Sequence, residues 1–193
     1  MESWPALPPV AFSASPPIGG ALVSRGVSSL RDAGRYLCEL PYGRNSDRSD
    51  FMLVLAEGRG TCSTKHALLA ALAREQGIAL RLMLGIYEMR EANTPGVGKV
   101  LAKHGLVSVP EAHCYVAWGD ARIDVTRSGV EPAEPVGPFL REETIAPEQI
   151  GDYKVCWHQG FMRDWVGDQG RTNGIGFDEL WEIREECIRA LEQ

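Results

Sequence analysis

A break followed by an apolar-striped helix, GRGTCSTKHALLAALAREQGI over residues 58–78, constrains this chain more than any other stretch. Gly58 and Gly60 interrupt regular structure, and Thr61 is a suitable N-cap. Ala67, Leu68, Leu69, Leu72 and Ala73 then recur at helical spacing, up to Gly77 as a left-handed stop. Cys62 thereby falls in the first turn, where unpaired N–H groups and the helix dipole favour an anion. A thiolate is such an anion, and a cysteine pKa is lowered in this setting. An isolated cysteine here would be a small residue filling space. It gains chemical meaning only if the chain also supplies a base.

HCYVAWGDARIDVT, residues 113–126, supplies one. Gly119-Asp120 suits a two-residue hairpin turn, which sets Trp118 opposite Ala121 and Val116 opposite Ile123. Tyr115 then faces Asp124, and His113 faces Thr126. Alternation gives one apolar face: Cys114, Val116, Trp118, Ala121, Ile123 and Val125. The other carries His113, Tyr115, Ala117, Arg122, Asp124 and Thr126, and a slip of one residue would mix the two. His113 and Asp124 become diagonal neighbours on the polar face. A carboxylate beside an imidazole fixes its tautomer and favours its protonated form, and the imidazolium favours a nearby thiolate. A Cys62–His113 contact requires the helix start to dock on that polar face.

At 193 residues and 44% hydrophobic composition, the chain is sized for one domain with a substantial core. Its formal net charge is -6 with dispersed basic residues, which argues against a nucleic-acid partner. No apolar stretch approaches the roughly 20 residues that span a bilayer, so no membrane partner is expected. The opening MESWPALPPVAFSASPPIGG lacks a basic n-region, unlike a signal peptide. Five cysteines, an odd number without close paired spacing, are then expected as reduced thiols in the cytoplasm.

Residues 1–25 are expected as an extended Pro-rich arm, and 26–193 as a single domain. Ser28 or Ser29 caps a helix through LRDAGRYLCEL, YGRNSDRSD is a polar loop, and FMLVLAEG is a short helix. ALRLMLGIYEM reads as a buried strand, followed by an excursion with a short helix near Lys99 to His104. Residues 129–147, rich in proline, are expected as a loop-rich linker. DYKVCWHQGFMRDWV aligns Tyr153, Trp157, Phe161 and Trp165 as a helical stripe suited to core or interface. The closing DELWEIREECIRALEQ turns Leu180, Ile183, Cys187, Ile188 and Leu191 inward. Helices and strands, unevenly interleaved, indicate an α+β fold.

GTCSTKHALLAALAREQGIALR, then AHCYVAW, then RIDVT together resemble the transglutaminase-like superfamily, over roughly residues 30–127. That family shows Gly-x-Cys at a helix start, a histidine on one strand and Asp-x-Thr on the next. The resemblance implies a papain-like core, with the nucleophile helix packed on an antiparallel β-sheet. Helices at about 148–193 would extend it. It also implies Cys62 as nucleophile, His113 as general base and acid, and Asp124 as the orienting carboxylate. Two departures stand out: Cys114 follows the histidine where many members carry tryptophan, and the hairpin is shorter than usual.

The implied activity is that of a thiol amidase, peptidase or acyltransferase. It would act on a peptide, protein or small amide through a thioester, with no cofactor and no metal. An arylamine-type N-acetyltransferase is the enzymatic alternative, although Arg59-Gly60-Thr61-Cys62 lacks that group's Arg-Gly-Gly-x-Cys signature. A non-catalytic peptide-binding module is the other. Around the relay, Asn45 is a candidate oxyanion donor, and Tyr115 and Arg122 are candidate substrate contacts. His66 is either a local partner of the thiolate or a packing residue under the site, and Lys65 is expected to be solvated. Zinc at Cys62, His66, His113 and Cys114 has suitable donors in poor geometry. Cys38, Cys156 and Cys187 read as small core residues, and His104 and His158 have no evident partner. Oligomeric state is not encoded in any pattern of the sequence.

Overall fold

Ser29 opens the first long helix, its hydroxyl accepting the Asp32 N–H at 3.1 Å, and the helix stops at Leu40 before Pro41. A computed structural model describes residues 3–15, 17–129, 132–167 and 174–192. In chain order its elements are α1 (Pro17–Val23), α2 (Leu30–Glu39), α3 (Leu53–Glu57), α4 (Cys62–Glu75), β1 (Arg81–Met89), α5 (Gly98–Lys103), β2 (Val109–Trp118), β3 (Ala121–Ile123), β4 (Phe139–Ile145), α6 (Asp152–Gly167) and α7 (Phe177–Ala190). The strands form one four-stranded sheet in the order β3-β2-β1-β4, an α+β fold.

β2 and β3 pair antiparallel with Val116 opposite Ile123 and Trp118 opposite Ala121, the expected register. Gly119 takes φ +57° in the turn, a conformation glycine adopts freely. The ladder ends at Ile123, so Asp124 to Thr126 leave the strand earlier than the alternation predicted.

Packing divides the chain into two compact units interleaved along the sequence. The first holds Met1–Leu84, Cys114–Gly129 and Glu143–Gly151, and α4 is its centre. Every residue of α4 from Cys62 to Ala73 is buried, with α1, α2 and α3 packed around it. Full burial of Leu68, Leu69 and Leu72 contributes about 1.5–3 kcal/mol each. Within the N-terminal segment, residues 17–23 form helix α1. Pro17 sits at the first position of α1, and the Glu75 carboxylate accepts the Ile18 and Gly19 N–H groups at 3.0 and 2.8 Å. Ahead of that helix, the Leu30 N–H donates to the Val10 carbonyl at 2.9 Å, and Leu7 is fully buried.

The second unit holds Gly85–His113, Val130–Glu142 and Asp152–Gln193. Its core gathers Met89, Val97, Leu101, Val109, Met162, Leu180, Ile183 and Cys187. α7 buries Leu180, Ile183, Cys187 and Ile188 as its spacing predicted. α6 differs: its buried residues are Lys154, His158 and Met162, one position along from the aromatic stripe. Tyr153 is exposed, and Trp157, Phe161 and Trp165 are half-buried. Cys156 is exposed as well, unlike the buried Cys38 and Cys187. The linker expected at 129–147 contains β4, whose Phe139 packs where a Cβ on Gly85 would collide with its ring. Among the described residues, no helix is long and apolar enough to cross a membrane.

Candidate active site

The turn that delivers Cys62 is fixed from several sides. α3 ends on Gly58 at φ +66°, whose N–H returns to the Val54 carbonyl at 3.1 Å. Gly60 donates to the Pro41 carbonyl and accepts the Gly43 N–H, both at 3.2 Å. A Cβ on Gly60 would lie 2.9 Å from Thr64 Oγ1 and 3.0 Å from Lys65 Cγ and Val54 Cγ2, so a larger side chain would force these neighbours to shift. Thr61 then caps α4, and Cys62 is its first residue.

A polar ring closes around this start. Thr64 Oγ1 accepts the Thr61 N–H at 3.0 Å and donates to Asn45 Oδ1 at 2.8 Å. Asn45 Nδ2 donates to Glu57 at 3.1 Å and to the Arg59 carbonyl at 3.0 Å. Glu57 also accepts the Ser46 hydroxyl and N–H at 2.6 and 3.1 Å. The Ser46 hydroxyl, then its N–H, then the Asn45 amide hold the Glu57 carboxyl down to about 2. Both amide hydrogens of Asn45 are engaged, so it braces the turn; acting as an oxyanion donor would break one of these bonds.

Cys62 is 8% exposed, with Ser63 Oγ 3.9 Å from its sulfur. The same hydroxyl lies 3.8 Å from Cys114 Sγ. His66 is fully buried, with Nδ1 2.7 Å from the Cys62 carbonyl and Nε2 2.8 Å from the Val125 nitrogen. A carbonyl only accepts and an amide N–H only donates, so the imidazole is neutral with its proton on Nδ1. Asp124 Oδ1, 3.6 Å from Nε2, is too far for a hydrogen bond to that bare nitrogen. His66 therefore donates to the Cys62 carbonyl and accepts the Val125 N–H, which engages its Nε2 lone pair.

Lys65, expected in solvent, is completely buried, and its Nζ donates to the Leu40 and Thr126 carbonyls at 2.6 and 2.8 Å. Asp124 accepts the Thr126 N–H at 2.8 Å and its hydroxyl at 2.5 Å. The Asp124 N–H donates to Ser3 Oγ at 2.7 Å, holding the residue from its other side. Tyr115 and Arg122 share a face, with the guanidinium carbon 5.4 Å from the ring centre.

His113 lies on β2 at the edge of the second unit, buried, with its ring edge-on to Tyr87 at 6.0 Å. Two residues before it, Glu111 takes a bidentate pair from Arg184 on α7 at 2.5 and 2.6 Å. Burial alone would raise the Glu111 carboxyl, and the Arg184 guanidinium overrides it to hold the group well below the usual range. His158 Nε2 donates to the Pro110 carbonyl at 2.9 Å, and His104 meets Glu186 at 3.0 Å, so both histidines have partners. Among the described residues, no group of three or more His, Cys, Asp or Glu side chains is arranged to hold a metal ion.

Thr64, Glu57 and the Glu111–Arg184 pair escaped the sequence reading, and Lys65 was placed in solvent. Only Thr64 left a signal, a hydroxyl three residues after the N-cap.

Residues 14–122 match the model of the Transglutaminase-like superfamily, a span that includes Cys62 and His113 and stops short of Asp124. Comparison with curated proteins finds no match, and comparison with solved structures finds none either. With more than half of its length inside that span, and an α+β fold of the expected kind around it, the chain belongs to the transglutaminase-like superfamily.

Proposed function

We propose that the chain is a thiol amidase, peptidase or acyltransferase. Cys62 is its nucleophile, His113 its general acid and base, and Asp124 the carboxylate that orients the imidazole. The observation that carries this reading is Cys62 itself: the first residue of a buried helix, at the end of a turn braced through Gly60, Thr64 and Asn45. A helix N-terminus favours the thiolate, and fixed placement lowers the entropic cost of attack. The neutral, doubly bonded His66 supports assigning the base to His113.

In the reaction, a bond forms between Cys62 Sγ and the carbonyl carbon of a peptide, protein or small amide. The C–N bond breaks as the His113 imidazolium gives its proton to the leaving amine. Water or a second amine, deprotonated by His113, then attacks the thioester and expels the thiolate, giving hydrolysis or acyl transfer. Tyr115 and Arg122 would meet the polar groups of the substrate. The cycle consumes no redox equivalent.

The test is alkylation by iodoacetamide across pH, followed by mass spectrometry at each cysteine. Cys156, exposed on α6, provides an accessible reference thiol in the same molecule. Cys62 is expected to react well below the reference thiol pKa of about 8.5, and to slow in His113→Ala. A Cys62 that tracks Cys156, or ignores His113, would leave a non-catalytic binding module as the better description.

A further inference from the structure

Lys65 is a buried cation whose hydrogen bonds, as described above, go to two backbone carbonyls. Lysine is almost never fully buried without a charged partner, because desolvating an ammonium is costly and a carbonyl returns only part of that cost. A methionine of similar length would fill the space without it. The retained charge needs an explanation, and the geometry offers one.

The Leu40 carbonyl closes α2, and the Thr126 carbonyl belongs to the turn after β3. Lys65, one helical turn beyond Cys62 on α4, joins both to the nucleophile helix. Thr126 in turn presents its N–H and hydroxyl to the same Asp124 oxygen. A continuous path of hydrogen bonds thus runs from the helix through Lys65 and Thr126 to the Asp124 carboxylate. The ionisable groups around the ammonium are Cys38 from α2, Asp124 and Arg127 from the segment after β3, and Cys62 on α4 itself. Burial pushes the Lys65 ammonium down to about 8, and of its neighbours the anionic forms of Cys38, Asp124 and Cys62 oppose that loss.

We infer that Lys65 is a positioning residue of the Cys62 site: its ammonium clamps the Asp124–Thr126 turn to the nucleophile helix and so sets the carboxylate that the relay depends on. The inference rests on the thiol reading above. It adds a fourth residue to the site, one that touches no substrate and acts through Asp124.

The experiment compares the pH profile of Cys62 alkylation in wild type, Lys65→Met, Asp124→Asn, the double variant and His113→Ala. Thermal unfolding of each is recorded alongside. Lys65→Met is expected to slow Cys62 about tenfold at pH 7 and to move its profile to higher pH. In the Asp124→Asn background the same change should add little, because the clamp then has nothing to position. Thr126→Val, which removes only the hydroxyl on Asp124, should reproduce part of the effect and serves if Lys65→Met does not fold. Full additivity of Lys65→Met or Thr126→Val with Asp124→Asn would reduce Lys65 to a structural role and overturn the inference. So would a folded Lys65→Met with an unchanged profile while His113→Ala shifts it. If His113→Ala changes nothing, the thiol reading falls first and takes this inference with it.

Discussion

Asn45 engages its carbonyl and both amide hydrogens within one turn, with Thr64, Glu57 and the Arg59 carbonyl as partners. Removing it leaves each of them short of a partner, in a place that is 9% exposed at Asn45. Asn45→Ala is therefore expected to cost about 1–3 kcal/mol in urea unfolding. It should also slow Cys62 alkylation, since the bonds lost are those that hold Thr64 under the cap. Asn45→Asp keeps the shape but sets a second carboxylate against Glu57, so it should be worse than Asn45→Ala above pH 4.5 and gentler below it. A pair of variants insensitive to pH would mean that the Glu57 contact contributes nothing. The residues of this ring differ in how readable they were. Thr64 is three positions from the N-cap and falls under a local rule. Glu57 matters only because the 45–46 loop folds back over it, and no spacing rule reaches a partner 12 residues away.

At the scale of elements, legibility followed the range of the causes. The α4 boundaries came from a local break, cap and apolar repeat. The β2–β3 register came from a turn whose two residues sit between the strands they join. α6 was placed correctly and turned wrongly, because its aromatic stripe is compatible with burial while the true inner face carries Lys154 and His158. Those two polar groups are buried beside Glu111 and Arg184, a cluster that only tertiary structure assembles. β4 was missed because prolines dominate 129–147 and FLREETI, with four polar residues in a row, shows no strand-like alternation. Its counterpart is Gly85, a glycine inside β1 that makes room for the Phe139 ring. Gly85→Ala is expected to destabilise by about 1–3 kcal/mol through overpacking, and by clearly less in a Phe139→Ala background. Urea unfolding of the four proteins measures this; equal costs in both backgrounds would mean that Phe139 is not why position 85 is glycine.

For the molecule as a whole, Lys65 in the first unit and His158 in the second respond to opposite ends of the pH scale. In the first unit, Lys65 is depressed from 10.5 to about 8 by burial. The unfolded chain then binds more protons between those values, so this group adds stability as pH rises from 8 to 10.5. In the second, burial pushes His158 from 6.5 down to about 4, against the pull of Glu111. Its neutral form is kept inside, donating from Nε2 to Pro110. Again the unfolded state takes up the proton first, so stability is full above pH 6.5 and is lost as pH falls to 4. The loss is on the order of 3 kcal/mol at 1.36 kcal/mol per pH unit. Glu111, held low by Arg184, adds its own loss only below its ordinary value of 4.5. Amide exchange along α6 should therefore quicken between pH 6.5 and 4, after correction for the intrinsic pH dependence of exchange. His158→Gln can still donate toward Pro110 but cannot take up the proton, so its α6 exchange should be flat across that window. An α6 that loosens identically in wild type and His158→Gln would move the acid sensitivity away from this histidine. Glu111 and Arg184 would then be the next groups to vary, and the loosening should begin only below pH 4.5.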